Sequence, residues 1–152
     1  MDHEVSTFWQ KYLKEAKLAK TTNFYEAFHF CDDQTSADEL LKLVLMGKKT
    51  ATTSSYLAYK NSDELPKVGC YSIVTDYLGK PFCIIQTSSI KIMKFSEMTF
   101  DLAKLEGEDD DLTSWQQNHL AYFKRDGIIC DYQFSWEMPI VFEEFVVVYK
   151  SD

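Results

Sequence analysis

The sequence predicts an α+β fold: a mostly antiparallel β-barrel with flanking helices. Three observations carry that expectation. Apolar residues recur every three or four positions in two early segments and one late one, the period of helices packed on a core. Between and after them, short β-forming runs follow one another across turn residues, as hairpin-joined strands do. The last of these, Ile140 to Tyr149, is the most strongly β of all, with Val and Phe throughout. A sheet of about five or six such strands tends to curl into a barrel whose openings the helices cover.

Taken in order, Val5 to Leu18 reads as a helix with Phe8, Trp9, Tyr12 and Leu13 on its apolar side and Lys11, Lys14 and Lys17 opposite. Asn23 to Phe30 is an aromatic extended stretch leading to Asp32, a residue placed either in a simple loop or reaching back into a pocket. Ser36 with Glu39 has the capping-box pattern, which predicts a helix from about Ala37 to Met46. Gly47 then stands where a helix terminus needs positive φ. Thr50 to Tyr56, Cys70 to Asp76, Phe82 to Ser88 and Ile90 to Phe95 read as strands. Tyr77 to Lys80 forms a hairpin turn, and Ser89 marks a kink or bulge. A short helical turn is expected over Ser96 to Leu105 and an acidic loop over Glu106 to Asp111. A helix follows from Leu112 to about Gly127, and a further strand from Phe134 to Trp136. With 152 residues and no repeat, low-complexity segment or linker, a single domain over 1–152 is expected.

Composition narrows the function. The chain has 24 acidic against 16 basic residues and a formal net charge of -8, with Arg125 its single arginine. Counterion release on duplex DNA needs a broad basic face, so duplex binding is not expected. A small or mononucleotide-sized ligand, or weak binding at a local basic patch, fits better. Aromatic residues make up 15% of the chain, enough to fill a core and also to wall a pocket for a flat ligand. The start, Met1-Asp2-His3-Glu4, lacks a basic and apolar leader pattern, and no apolar run reaches the roughly 18 residues of a membrane span. A cytoplasmic protein is expected. Cys31, Cys70, Cys83 and Cys130 are far apart without a C-x-x-C, and His3, His29 and His119 are scattered. Free thiols, no metal site and no cofactor are therefore expected. Oligomeric state is not readable from the sequence.

Gly47-Lys48-Lys49-Thr50-Ala51-Thr52-Thr53-Ser54-Ser55 concentrates amines, hydroxyls and a turn-permitting glycine at a helix-to-strand junction. Cations at a helix end complement the dipole, which alone accounts for a lysine pair. A lysine held beside a pocket can also serve as a base once desolvated. A threonine hydroxyl becomes a nucleophile only when a neighbour takes its proton. Lys49 with Thr50 or Thr52 meets that need if the chain turns correctly. The acid must come from elsewhere, and Glu106 and Glu108 flank a glycine that allows a tight bend. Trp115 and His119, one turn apart on a helix, are core candidates first.

The set resembles the ASCH family, small domains with a barrel related to the PUA fold. The resemblance rests on Gly47-x-Lys49-x-x-Thr52, the upstream Ala37-Asp38-Glu39-Leu40, Leu65-Pro66-x-x-Gly69, Glu106-Gly107-Glu108, Trp115-x-x-x-His119 and the closing strand, and it covers most of the chain. It points to a bacterial branch. The resemblance implies an RNA- or nucleoside-related role, with a small nucleoside-like ligand or single-stranded RNA as the expected partner. One branch is an amidohydrolase that removes the acetyl group of N4-acetylcytidine with a Lys, a Thr and a Glu, matching Lys49, Thr52 and Glu106, with Glu108 as the alternative acid. The expected site then has Thr52 as nucleophile, Lys49 as base and Glu106 orienting Lys49 or protonating the leaving amine. Lys48, Phe28, Asp32, Tyr56, Glu108, Trp115 and His119 are the candidate substrate-binding residues. The alternatives are a non-catalytic RNA- or nucleotide-binding module and, third, a metal-independent ribonuclease. This chain departs from the amidohydrolase branch in its N-terminal helix and in Ser54, where that branch carries arginine.

Overall fold

The computed structural model of the protein describes residues 2–152. Helix α1 spans His3–Ala16 and buries Val5, Trp9, Tyr12 and Leu13. Strand β1, Phe24–Phe28, leads within a few residues into α2, Gln34–Leu45. Here the expected start shifts, because the carboxylate of Asp33, not the hydroxyl of Ser36, caps the helix: Asp33 accepts the Ser36 N–H at 2.8 Å. Gly47 takes φ 78° after the helix, and β2, Ala51–Ser55, follows. Strands β3, Tyr71–Thr75, and β4, Pro81–Lys94, form a hairpin. The two strands expected around Ser89 are one strand, whose register against its neighbour slips between Thr87 and Ser89.

The helical turn expected at 96–105 is a short helix α3, Phe100–Ala103, flanked by 3₁₀ turns at Phe95–Glu97 and Lys104–Glu106. Helix α4 runs Leu112–Cys130, past the expected end at Gly127. Gly127 does not stop it; it lets the returning chain close in, since a Cβ there would stand 2.2 Å from the Tyr132 carbonyl oxygen. The strand expected at Phe134 to Trp136 is irregular chain. Its aromatic rings pack on Phe95 in edge contacts at 5.0 and 5.2 Å instead of extending the ladder. Strand β5 is Pro139–Lys150.

The five strands pair in the order β1-β3-β4-β5-β2, with β1–β3 parallel and the other pairs antiparallel. This is the expected α+β fold of mostly antiparallel strands with flanking helices; among the described residues the ladder does not close, a minor departure from a full barrel. The edge strands β1 and β2 do not hydrogen-bond to each other; both line one cavity, which residues of α2 and α4 line as well. Three apolar clusters hold this arrangement. One joins α4 and the 3₁₀ turns to β2 and β5 through Phe95, Trp115, Phe123 and Phe142. A second packs α2 on the sheet through Leu41, Val44, Ile85 and Phe145. The third seats α1 on Ile73 and Ile84. No helix among the described residues is long and apolar enough to cross a membrane.

Candidate functional site

The turn after α2 places Lys49. The N–H groups of Lys48 and Lys49 both donate to the Leu43 carbonyl, at 2.9 and 3.0 Å, so the chain wraps the helix end before extending. The Thr50 N–H donates to the Leu105 carbonyl at 2.8 Å, which ties this turn to the segment carrying Glu106. Lys49 is 2% exposed. Its Nζ lies 3.4 Å from Glu106 Oε1 and 3.1 Å from Glu108 Oε2, and 5.2 Å from the centre of the Phe30 ring. Both carboxylates named as alternatives thus reach the same ammonium. Glu106 is the buried one and Glu108 the one open to solvent, its side chain 27% exposed.

Glu106 gathers four donors. The Thr53 hydroxyl and the Trp115 indole N–H donate to Oε2 at 2.8 and 2.7 Å. Lys49 and the His119 Nε2–H donate to Oε1, at 3.4 and 3.3 Å. Burial pushes the Glu106 carboxyl up, but the charges of His119 and Lys49 and these hydrogen bonds outweigh it and hold the group at about 2. Both ring nitrogens of His119 face acceptors, Nε2 the Glu106 carboxylate and Nδ1 the Trp115 carbonyl at 2.9 Å, an arrangement that suits the imidazolium. Burial pushes its pKa down; the Glu106 charge overrides this and raises it. The His119 ring stacks on Trp115 at 4.0 Å and 19°.

A cavity of about 960 Å³ opens on this cluster. Lys49, Thr52, Glu106, Glu108, His119, Lys48 and Phe28 all line it. Three expected binding residues lie elsewhere. Trp115 is fully buried behind Glu106 and serves as its donor, leaving no face for a ligand. Tyr56 begins a 3₁₀ turn past the end of β2 and does not line the cavity. Asp32 does not line it either; it forms a forked pair with Arg125 on α4, at 2.7 and 3.3 Å, and Arg125 stands on the cavity rim.

The residues not foreseen are Thr53, Tyr59, Glu26, Glu143 and Arg125. Strand parity explains the first. Ala51, Thr53 and Ser55 are buried and Thr52 and Ser54 half-buried, so the two faces of β2 alternate. Thr53 therefore reaches Glu106 and Thr52 points to the opposite face of the strand. The Glu143-Glu144 pair inside an otherwise apolar strand was the visible signal for the acid on β5. The Cys31, Asp32 and Asp33 side chains bring three donor atoms within 4.8 Å of one another. The two carboxylates are engaged, by Arg125 and by the Ser36 N–H.

Fold and site together define an α+β domain of the PUA-like kind, with a buried lysine–carboxylate cluster at the base of a cavity between its sheet edges. The chain belongs to the ASCH family: the ASCH domain model matches residues 26–149. It is similar to the crystal structure of an ASCH domain from Lactobacillus crispatus JV V101, with 32% identity, TM-score 0.87, and coverage of 98% of this chain and 96% of that one. It is also similar to protein EF3133 from Enterococcus faecalis V583, with 33% identity, TM-score 0.89, and coverage of 99% and 91%. The hypothetical protein PH0355 shares the fold at 14% identity and TM-score 0.53, over 84% of this chain and 100% of that one. A comparison with curated protein sequences gives no match.

Proposed function

We propose that the protein hydrolyses an acyl amide on a small nucleoside-like molecule, with Thr52 as nucleophile and Lys49 as the group that takes its proton. The observation that carries this reading is the lysine. Its Nζ is held by two carboxylates at the base of a cavity that Thr52 also lines. Burying a charged cluster is expensive, and folding alone rarely requires it. Thr52 Oγ attacks the acyl carbon as its proton passes to Lys49; that proton goes on to the leaving nitrogen as the C–N bond breaks, and water cleaves the acyl-threonine ester. Glu106 fits the orienting role better than the acid role, because a carboxyl held at about 2 has no proton to give near neutrality. The charge of the cavity favours an uncharged substrate. Glu26, Asp33, Glu39, Glu106, Glu108 and Glu143 line it against Lys42, Lys48, Lys49 and Arg125.

Purified protein incubated with N4-acetylcytidine is expected to release cytidine, and Thr52→Ala and Lys49→Ala to abolish the release. Absence of turnover at high enzyme concentration sinks the reading. A second reading, a binding module for nucleotides or single-stranded RNA, is favoured by the exposed Lys42, Lys48 and Arg125 on the rim. It predicts an affinity for single-stranded RNA that falls steeply with salt.

A further inference from the structure

Glu143 is a carboxyl that the lysine cluster does not use. It lies on β5 directly opposite Thr52 on β2, and both residues line the cavity. Residues opposite one another in an antiparallel pair share a face, with Cβ atoms about 4.5–5.5 Å apart. The Thr87 hydroxyl on β4 donates to Glu143 Oε2. Thr87 is 2% exposed and sits where the register of β4 against β5 slips, a device that re-aims side chains. Its backbone is fixed at both groups. The N–H donates to the Cys70 carbonyl at 3.0 Å, and the carbonyl accepts the Gly69 N–H at 2.8 Å. A buried, immobile donor thus holds the carboxyl in the cavity wall beside Thr52.

Glu143 Oε1 is left over. Among the described residues it takes no hydrogen bond, and Asp109 carries the only fully sealed side-chain oxygen without a partner, so Glu143 Oε1 is open to a ligand. No cation pairs with Glu143 among the described residues. Burial raises its pKa against the lowering effect of the Thr87 bond, as befits a carboxylate short of donors. Its neighbours in the wall do not supply one: the Ser54 and Tyr59 hydroxyls bond each other at 2.8 Å. An ionised carboxylate only accepts, so this position calls for a ligand N–H or O–H next to Thr52.

In an acyl amide the nearest such donor is the N–H of the scissile bond, one atom from the carbon that Thr52 attacks. We infer that Glu143 accepts the N–H of the scissile amide and so restricts the substrate to secondary amides, the acyl derivatives of primary amines such as the exocyclic amine of a base. The inference rests on the hydrolase reading and names its substrate class. The hydrogen held by Glu143 stays on nitrogen throughout. The second hydrogen of the departing amine is the one relayed from Thr52 through Lys49, so Glu143 transfers no proton. Tertiary amides and esters have no N–H and leave the Glu143 oxygen desolvated and unpaired, which a site built for a donor rejects strongly.

The test uses N4-acetylcytidine and its N4-methyl derivative, which lacks the N–H. Wild-type protein is expected to prefer the first by about 100-fold or more in kcat/KM. Wild-type protein that cleaves both equally overturns the inference without any variant. Comparing the preference between enzymes cancels the intrinsic reactivity of the two compounds. Glu143→Leu is expected to shrink it by at least about tenfold, and Thr87→Val to shrink it less. Both substrates meet the same preparation, so the ratio does not depend on the fraction folded. A preference that survives Glu143→Leu, with both substrates slowed alike, overturns the inference and leaves Glu143 a support for the sheet. Calorimetric binding to Thr52→Val separates recognition from hydrolysis. N4-acetylcytidine is expected to bind at least about tenfold more tightly than the methyl derivative, an advantage lost when Glu143→Leu is added. Wild-type protein that cleaves neither compound, in a chain that keeps this binding advantage, overturns the hydrolase reading and leaves Glu143 as the N–H acceptor. Cleavage of N4-acetylcytidine without the advantage keeps the hydrolase reading and overturns the inference. Protein that neither cleaves nor binds the two compounds overturns both.

Discussion

Gly107 and Lys48 are in backbone contact: a Cβ built on Gly107 would stand 2.7 Å from the Lys48 carbonyl oxygen and 3.0 Å from its carbon. This contact lets the loop of Glu106 and Glu108 lie against the turn of Lys49. Gly107 also has φ 76°, where a side chain is strained whatever the space. Gly79 has φ 92° with nothing within 4 Å. The two glycines separate strain from close approach. Gly79→Ala is expected to cost about 1 kcal/mol, and Gly107→Ala clearly more, since the obstructing atoms are backbone. Denaturant unfolding of the two variants measures the difference, and equal costs remove the close-packing argument.

The charges at Glu106 make stability depend on pH in both directions. Its folded pKa, about 2, is below the ordinary 4.5. Its contribution is therefore full above about 4.5 and is lost as pH falls towards 2. The pKa of His119 is raised from its ordinary 6.5. Its contribution is full below that value and is lost as pH rises through the folded one. Unfolding free energy followed from acid to mildly alkaline pH is expected to decline at both ends. Glu106→Gln is expected to flatten both limbs, because the partner of His119 is gone as well. Glu106→Ala is expected to cost about 3–5 kcal/mol at neutral pH, the usual cost of stranding a buried partner.

Trp115→Phe tests the donor without emptying the core. Phenylalanine retains a ring against Phe95 and His119, which Trp115 stacks on at 5.3 and 4.0 Å. It removes the indole N–H that donates to Glu106 at 2.7 Å. A hydrogen bond to a buried charge contributes about 1.5–3 kcal/mol, and the variant is expected to lose about that much. The acid limb of the stability profile should move to higher pH, since Glu106 loses a bond that favours its anion. An unchanged acid limb argues against the indole as a determinant of the carboxylate.

Local rules made much of the fold legible. The period of Trp9, Tyr12 and Leu13, the Gly47 terminus and the β-rich tail each state their element in adjacent residues. The misses are tertiary. The rings of Phe134 and Trp136 read as strand and pack as core, and Gly127 reads as a helix stop because the carbonyl it accommodates, that of Tyr132, is invisible in the sequence. The cavity that both edge strands line draws its other walls from α2 and α4, a property of the whole chain. Within the site, the Lys49–Glu106 association followed from the family motif. That β1 and β2, the two edges of the sheet, line one cavity follows from the strand order, and no spacing encodes it.

The two threonines of β2 give the sharpest separation of structure from function. Thr53 faces the core side of the strand, is 8% exposed, and donates its hydroxyl to Glu106 at 2.8 Å. Thr52, half-buried, lines the cavity beside Glu143. Valine matches threonine in shape and removes only the hydroxyl. Thr53→Val therefore leaves a buried anion one donor short and is expected to cost about 1–3 kcal/mol of stability. Thr52→Val removes no bond to Glu106 and keeps the branched side chain that β2 favours, so its cost is expected to stay within about 0.5 kcal/mol. Its effect belongs to chemistry: amide turnover should vanish while folding is untouched. Thermal unfolding and an amide hydrolysis assay on the pair decide the matter. If Thr53→Val abolishes turnover in folded protein while Thr52→Val retains it, the nucleophile is on the Glu106 side and the strand has been assigned to the wrong face.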